Sequence, residues 1–303
     1  MVMSDVMPDS VAVSSEKLWW AALKLPIYSV AIMPIWLGSA LGWAESGDLY
    51  LGRFFLFLAA AVLILAWLNL SNDVFDADTG IDRHKYHSVV NLTGKKSLIL
   101  WLSYLCLSLG GVGIGAIAYL QHDVTVPSLV ALCCFLGYIY QGPPFRLGYL
   151  GLGEPLCFFA FGPLAIAAAY YSQTQAWSPL IWPVGTILGL TTTLILFCSH
   201  FHQIEDDLAA GKRSPVARLG TQTSSRLVQG AIAIVFITIL IGVGLQVFPP
   251  LSLLSLVALP WGVQLIRQMQ QFHDQPDQIK TSKFVAANLH FVSGLLFGLG
   301  WIL

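Results

Sequence analysis

RFFLFLAAAVLILAWLNLSNDVFDADTGID, residues 53–82, runs without a break from an apolar block into four aspartates, Asp73, Asp76, Asp78 and Asp82. At 1.5 Å per residue, the segment 51–71 is long enough to cross a hydrocarbon core of about 30 Å. A carboxylate drawn toward the bilayer centre costs on the order of 2.5–3.5 kcal/mol. The chain has only 16 acidic residues, so a quarter of them crowd the mouth of one membrane helix. The stretch therefore fixes a membrane fold and asks what its acids hold.

The rest of the 303-residue chain agrees with that reading. It is 56% hydrophobic and 10% charged, with a mean hydropathy of +0.72, whereas soluble domains average about 45–50% apolar and about 25% charged. Nine apolar segments are predicted to span, at about 18–43, 51–71, 98–120, 124–141, 153–172, 179–200, 224–246, 250–270 and 283–303. The fold class expected is an all-α integral membrane protein, nine transmembrane helices around a central cavity. Residues 1–16 form a polar tail without the pattern of a secretory signal, expected to be cytosolic and disordered. Residues 17–303 then form a single membrane domain. Pro260 predicts a kink in the eighth span. The five cysteines lie in apolar runs without a C-x-x-C pair and read as small buried hydrophobes. LGGVGIGA, 109–116, lies within a span with no strand before it, so it reads as close helix packing rather than a nucleotide loop.

Charge sets the orientation. Of 15 Lys and Arg, all but Arg53 fall at the start of the chain or in or beside the connections after the even-numbered spans. The positive-inside rule then puts the N-terminus and the acidic loops in the cytosol. The expected location is a multi-pass protein of a cell inner or thylakoid-type membrane.

A second cytosolic loop, HQIEDDLAAGKRSPVARLG (202–220), resembles the first in kind: acids, then bases. If the second span continues as helix past Ser71, Asn72 and Asp76 stack four apart, as do Gln203 and Asp207 in the second loop. Clustered carboxylates repel, and a divalent cation relieves the repulsion. An all-oxygen donor set favours Mg²⁺ over zinc or copper, and no EF-hand spacing points to calcium. Mg²⁺ takes one or two carboxylates and completes its shell with water and phosphate. Two such loops facing each other suggest a diphosphate held by metal, with neighbouring bases such as Lys85 and Lys212 on the remaining phosphate oxygens. A solvated acidic loop that caps helix ends is the plainer alternative for either loop alone. His202 is a candidate lining residue beside the second loop.

At these residues the chain resembles the UbiA superfamily of intramembrane aromatic prenyltransferases. NDVFDADTGID (72–82) is similar to that family's N-D-x-x-D motif. YQGPPFRLGYLGLGE (140–154) and AAGKRSPVARLGT (209–221) resemble its branch acting on 1,4-dihydroxy-2-naphthoate, and HFHQIEDDLAAGKRSP (200–215) its phytyl-transferring members in cyanobacteria and plastids. The resemblance implies that Asn72, Asp73 and Asp76 form the first motif. In the second motif Asp207 matches the last Asp, but Gln203 stands where the family has its first, so a second metal would be held less tightly unless Glu205 or Asp206 compensates. Many relatives carry Asp at the position of Gly80; Gly80 and Asp82 follow the naphthoate-branch variant. The resemblance further implies Mg²⁺ held by Asn72, Asp76, Gln203 and Asp207, with Asp73, Asp76, Asp207 and Tyr140 catalytic. It also implies substrate contacts from Lys24, Arg146 and Lys212. The partners implied are a prenyl (phytyl) diphosphate, 1,4-dihydroxy-2-naphthoate and the lipid bilayer, with no nucleic acid. The implied chemistry is ionisation of an allylic diphosphate and attack by an electron-rich ring, in a cavity dry enough to spare the cation. Tyr28, Tyr138, Tyr140, Phe158 and Phe159 are candidate aromatic lining, since π faces attract cations.

A longer polyprenyl donor, or another acceptor such as homogentisate or 4-hydroxybenzoate, stays open. So does a cation-coupled transporter, although a transporter places its ionisable groups near mid-membrane and these acids gather at one end.

Overall fold

The computed structural model describes residues 25–79, 81 and 88–303. The polar tail, Lys24, Gly80, Asp82, Lys85, His84 and His87 lie outside the described residues. Every regular element among those described is helical. In chain order they are α1 (Ser29–Ser46), α2 (Leu51–Thr79), α3 (Val89–Thr93), α4 (Lys96–Gln121), α5 (Thr125–Gln141), α6 (Gly153–Phe161) and α7 (Pro163–Thr174). Then come α8 (Ile181–His200), α9 (Ile204–Ala209), α10 (Pro215–Leu219), α11 (Thr221–Gly244), α12 (Leu259–Phe272), α13 (Pro276–Ile279) and α14 (Ser282–Ile302).

Among the described residues, seven helical units are long and apolar enough to cross a membrane. Two other predicted spans are helical but miss that standard. α5 has 17 residues, and α1 is diluted by Ser39, Glu45 and Ser46. α2 does continue through the aspartates to Thr79, so the four-residue spacing of Asn72 and Asp76 is a helical one.

Two spans are not uniform. The fifth breaks at Gly162, between α6 and α7. A Cβ there would lie 2.5 Å from the Gly185 carbonyl and 2.6 Å from that of Phe158, and Pro163 starts the new helix, where a missing N–H costs nothing. The eighth opens as a 3₁₀ helix, Pro250–Ala258, and becomes α12 at Leu259, with Pro260 in its first turn. Pro260, where a kink was expected, thus lies just after the junction of the two helix types.

Small residues bring the helices together, as expected where lipid offers no hydrophobic drive between them. Gly38 of α1 lies against α7, where a Cβ would stand 2.5 Å from that of Ala169. Gly110 and Gly113 press α4 onto Ala60 and Ile64 of α2, while Gly111 and Gly115 meet nothing. The glycine run is therefore packing, as the sequence indicates. First and last spans also meet: Trp36 Nε1 donates to the Leu295 carbonyl at 3.2 Å. Lipid-facing positions carry large apolar groups, including Trp101, Val112 and Leu245.

The ends differ. Opposite the acidic loops, Glu45 accepts from Tyr170 Oη at 2.5 Å and from Ser178 Oγ at 2.8 Å, and Asp123 accepts from Tyr171 Oη at 2.8 Å. At the acidic end the connection 142–152 ties the two motifs. Tyr149 Oη and Thr79 Oγ1 share a hydrogen bond of 2.6 Å, and the Tyr149 carbonyl accepts from Arg213 N–H at 2.8 Å. Arg218 Nη1 donates to the Leu150 carbonyl at 2.9 Å.

Candidate active site

A cavity of about 610 Å³ opens at the acidic end, bounded by α1, α2, α5, α6, α8 and α14. Its polar lining is Asn69 and Asn72 from α2, Tyr140 from α5, Thr192 and Ser199 from α8, Gln203 from the second motif, and Lys283 from α14. The remaining wall is apolar, with Leu65, Leu68, Leu156, Ile195 and Phe284 among its residues. Both motifs thus meet in one chamber that is polar at its mouth and greasy in depth.

The motif aspartates sit behind that lining rather than in it. Asp76, one turn beyond Asn72, accepts from the Gln141 amide. Asp207, one turn beyond Gln203, is buried and faces Lys212 Nζ at 3.3 Å through Oδ1 and His200 Nδ1 at 3.1 Å through Oδ2. Burial alone would raise the Asp207 carboxyl, but the His200 hydrogen bond and the Lys212 charge hold it below the usual carboxylate range. Asp73 is turned elsewhere: it is 2% exposed and accepts the Val89 N–H at 2.9 Å, fastening α3 to α2. Asp78 pairs with Lys96.

The buried line extends further. His200 Nε2 lies 3.4 Å from Glu154 Oε1, and neither Glu154 oxygen has a hydrogen-bond partner. Lys212, Asp207, His200 and Glu154 therefore form one chain across the second motif and the start of α6. Tyr140 fills the space beside it. A Cβ at Gly148 or Gly153 would approach the Tyr140 ring at 2.7 and 2.5 Å, which explains two glycines of GYLGLG.

Other candidates stand apart from the cavity. Glu205 and Asp206 are exposed and outside the lining. Arg146 adopts a left-handed backbone at φ 45° and leaves its Nε buried without a partner, outside the lining. His202 is also outside it. Burial first, then the nearby Lys283 and Lys280, push the His202 imidazole down to about 4, so it is neutral at physiological pH and adds no positive charge.

Of the five candidate aromatic liners, Tyr140 alone reaches the cavity. Phe158 lies against Gly189, Phe159 is 45% exposed, Tyr138 donates to the Pro143 carbonyl at 2.6 Å, and Tyr28 is hydrogen-bonded to the Asn69 side chain. Phe161 and Phe284 are the aromatic liners that sequence reasoning missed, with Asn69 and Lys283 beside them. Lys283 had a signal, a base at the start of the last span, whereas Phe161 had none in its apolar run.

The donor set suits a hard cation. Asn72, Asp76, Gln203 and Asp207 offer oxygens, and Asp76 and Asp207 already attract donors from Gln141 and Lys212. Among the described residues no group of three or more His, Cys, Asp or Glu gathers to form a protein-only cage. Such a site suits Mg²⁺, which shares its shell with water and phosphate.

Comparison with known proteins agrees with this geometry. Residues 31–293 match the model of the UbiA prenyltransferase family. The chain is 50% identical over 303 residues to the 2-carboxy-1,4-naphthoquinone phytyltransferase of Synechocystis, covering 99% of each chain. It is 39% identical to the chloroplastic enzyme of that name in Arabidopsis thaliana, over 95% of this chain and 77% of the other. A UbiA homolog from Archaeoglobus fulgidus, solved bound to DMAPP and Mg²⁺, superposes with a TM-score of 0.63 at 16% identity, covering 92% of this chain and 98% of that one. The chain is a multi-pass membrane protein of the UbiA prenyltransferase family.

Proposed function

We propose that this prenyltransferase moves a phytyl group from its diphosphate to 1,4-dihydroxy-2-naphthoate, with loss of the carboxylate, as a step toward phylloquinone. The observation that carries the proposal is the cavity shared by both motifs, with Asn72 and Gln203 at its polar mouth and an apolar interior. The full-length likeness to naphthoquinone phytyltransferases supports the choice of substrates. A transporter finds no support in the family or in acids gathered at one end.

In this reading the diphosphate lies between Asn72 and Gln203, with Lys283 and Lys212 on that side and Arg146 and Lys85 in the neighbouring loops. Asn72 and Asp76 with Gln203 and Asp207 would hold Mg²⁺, whose positive charge would favour departure of the diphosphate. The allylic C–O bond breaks with its electron pair going to the diphosphate. The electron-rich ring forms the new C–C bond at the carboxyl-bearing carbon, and carboxylate leaves as CO₂, returning its bond electrons to the ring. No proton is gained or lost overall. The apolar wall keeps water from the cation, and the Tyr140 face lies at the mouth where charge develops. Lys24 is the further substrate contact in this reading, Asp73 holds the first motif in place, and His202 contributes hydrogen bonding only. Residues 17–303 form one domain with nine crossings, the N-terminus and site loops cytosolic.

The test is an assay of purified protein with naphthoate, Mg²⁺ and phytyl, geranylgeranyl or octaprenyl diphosphate in parallel, read by product mass. Phytylated product that disappears without Mg²⁺ and in Asp76→Ala and Asp207→Ala supports the proposal. Transfer of the octaprenyl group in preference to phytyl contradicts the donor, and product with a different aromatic acceptor alone contradicts the acceptor.

A further inference from the structure

A second, narrower cavity of about 80 Å³ adjoins the first and shares part of its wall, including Leu65, Leu68, Gly137, Ala160 and Phe161. Its direction is the same on every helix it touches. On α2 the outer cavity reaches from Asn72 to Leu65, and the inner continues to Phe57. On α5 the outer begins at Tyr140 and the inner ends at Val130, while on α7 only the inner touches Ala165 and Ala168. The inner cavity therefore lies deeper in the membrane, directly away from the acidic mouth. Apart from Cys133 and Cys134 its lining is wholly hydrocarbon, and five alanines leave the space. Nothing polar there could hold water, so the site suits hydrocarbon alone.

Phe161 is the largest of the shared residues and stands at the partition. It is the last residue of α6, directly before the break at Gly162, so it sits at the joint between α6 and α7. The lengths also match. Seven residues separate Asn72 from Leu65 and fifteen separate it from Phe57, about 10 Å and about 22 Å along a helix. A geranyl chain has eight carbons in line and a phytyl chain sixteen. At about 1.5 Å per bond in zigzag, these reach roughly 9 Å and just under about 20 Å.

We propose that the inner cavity receives the far half of the prenyl tail, with Phe161 as its gate and Phe57 as its floor, so that this compartment sets donor chain length. The proposal rests on the reading of the outer cavity as a prenyl-diphosphate site. A ten-carbon donor stops short of the gate, a phytyl chain passes it, and an eight-isoprene chain overruns the floor.

The test is the ratio of kcat/KM for phytyl over geranyl diphosphate, measured within each variant so that folding yield cancels. Ala61→Leu and Ala165→Leu, which fill only the inner cavity, should lower that ratio about tenfold or more, the scale of methylenes refused by an apolar pocket. Phe161→Trp should lower it too, and Phe161→Ala should raise it. A ratio unchanged from wild type in the two filling variants overturns the proposal, as does a fall in Phe161→Ala. Wild type that prenylates a different acceptor overturns the acceptor reading but leaves the ratio, and so this proposal, measurable.

Discussion

His200 holds its imidazole between two carboxylates, and that placement assigns it work that its sequence spacing concealed. His200 and His202 are two apart, so the helical pattern alone splays them and favours neither. The structure places His200 on Asp207 at 3.1 Å and leaves His202 outside the cavity lining. Side chains that orient a metal-binding carboxylate matter nearly as much as the ligand itself. Replacing His200 with Ala should therefore raise the Mg²⁺ concentration for half-maximal activity by about 10–100-fold, with His200→Asn, which keeps a donor toward Asp207, recovering much of it. A Mg²⁺ titration of activity checks this. Asp73 makes the contrasting case. Its carboxylate fastens Val89 N–H, and Asp73→Ala leaves that amide without its partner, at a cost of about 1–3 kcal/mol, read as a lowered Tm in detergent. The motif's position was legible in the sequence, because carboxylates beside an apolar block have few uses. Which aspartate stands behind the cavity lining and which fastens the loop was not, since that depends on partners such as Gln141 and Val89 supplied by distant segments.

At the scale of elements, the same apolar run hides or shows its breaks according to the residue that makes them. Pro260 marked the region where the helix type changes because a missing N–H is visible in any context. The break at Gly162 carried a signal too, the Gly162-Pro163 pair, but it sits in PLCFFAFGPLAIAAAYY, an apolar run that reads as one continuous span. It exists because α8 presents Gly185 and Gly189 to it, and those lie more than twenty residues away. Gly162→Ala should be destabilising by about 1–3 kcal/mol, since the added methyl meets backbone on two sides and neither can yield. A lower Tm in detergent checks this, and Gly111→Ala, where nothing stands within 4 Å, is the matched control expected to shift little. Hydropathy also placed the first and fourth spans correctly as helices while their lengths and polar content left them short of an isolated membrane crosser. Their neighbours, not their own composition, hold them.

Over the described molecule, exposed tryptophans and tyrosines gather near both ends. Tyr50, Tyr119, Trp177 and Trp182 lie toward the end opposite the motifs, and Trp101 and Tyr104 toward the motif end. Such girdles mark the two membrane–water interfaces and bracket the bundle independently of its charges. With basic residues crowded at the motif end, the account predicts that single cysteines at Asp48 and Gln246 react with an impermeant maleimide from outside intact cells. Cysteines at Glu205 and Asp277 should react only in inverted vesicles. The reverse pattern would turn the molecule over. The central claim is the coupled transfer itself. The most direct measurement supplies naphthoate labelled in its carboxyl carbon and counts released CO₂ against phytylated ring product as phytyl diphosphate and Mg²⁺ are added. The account predicts one CO₂ per product and none without the donor. Product that keeps its carboxylate, or CO₂ released without phytyl diphosphate, would contradict it.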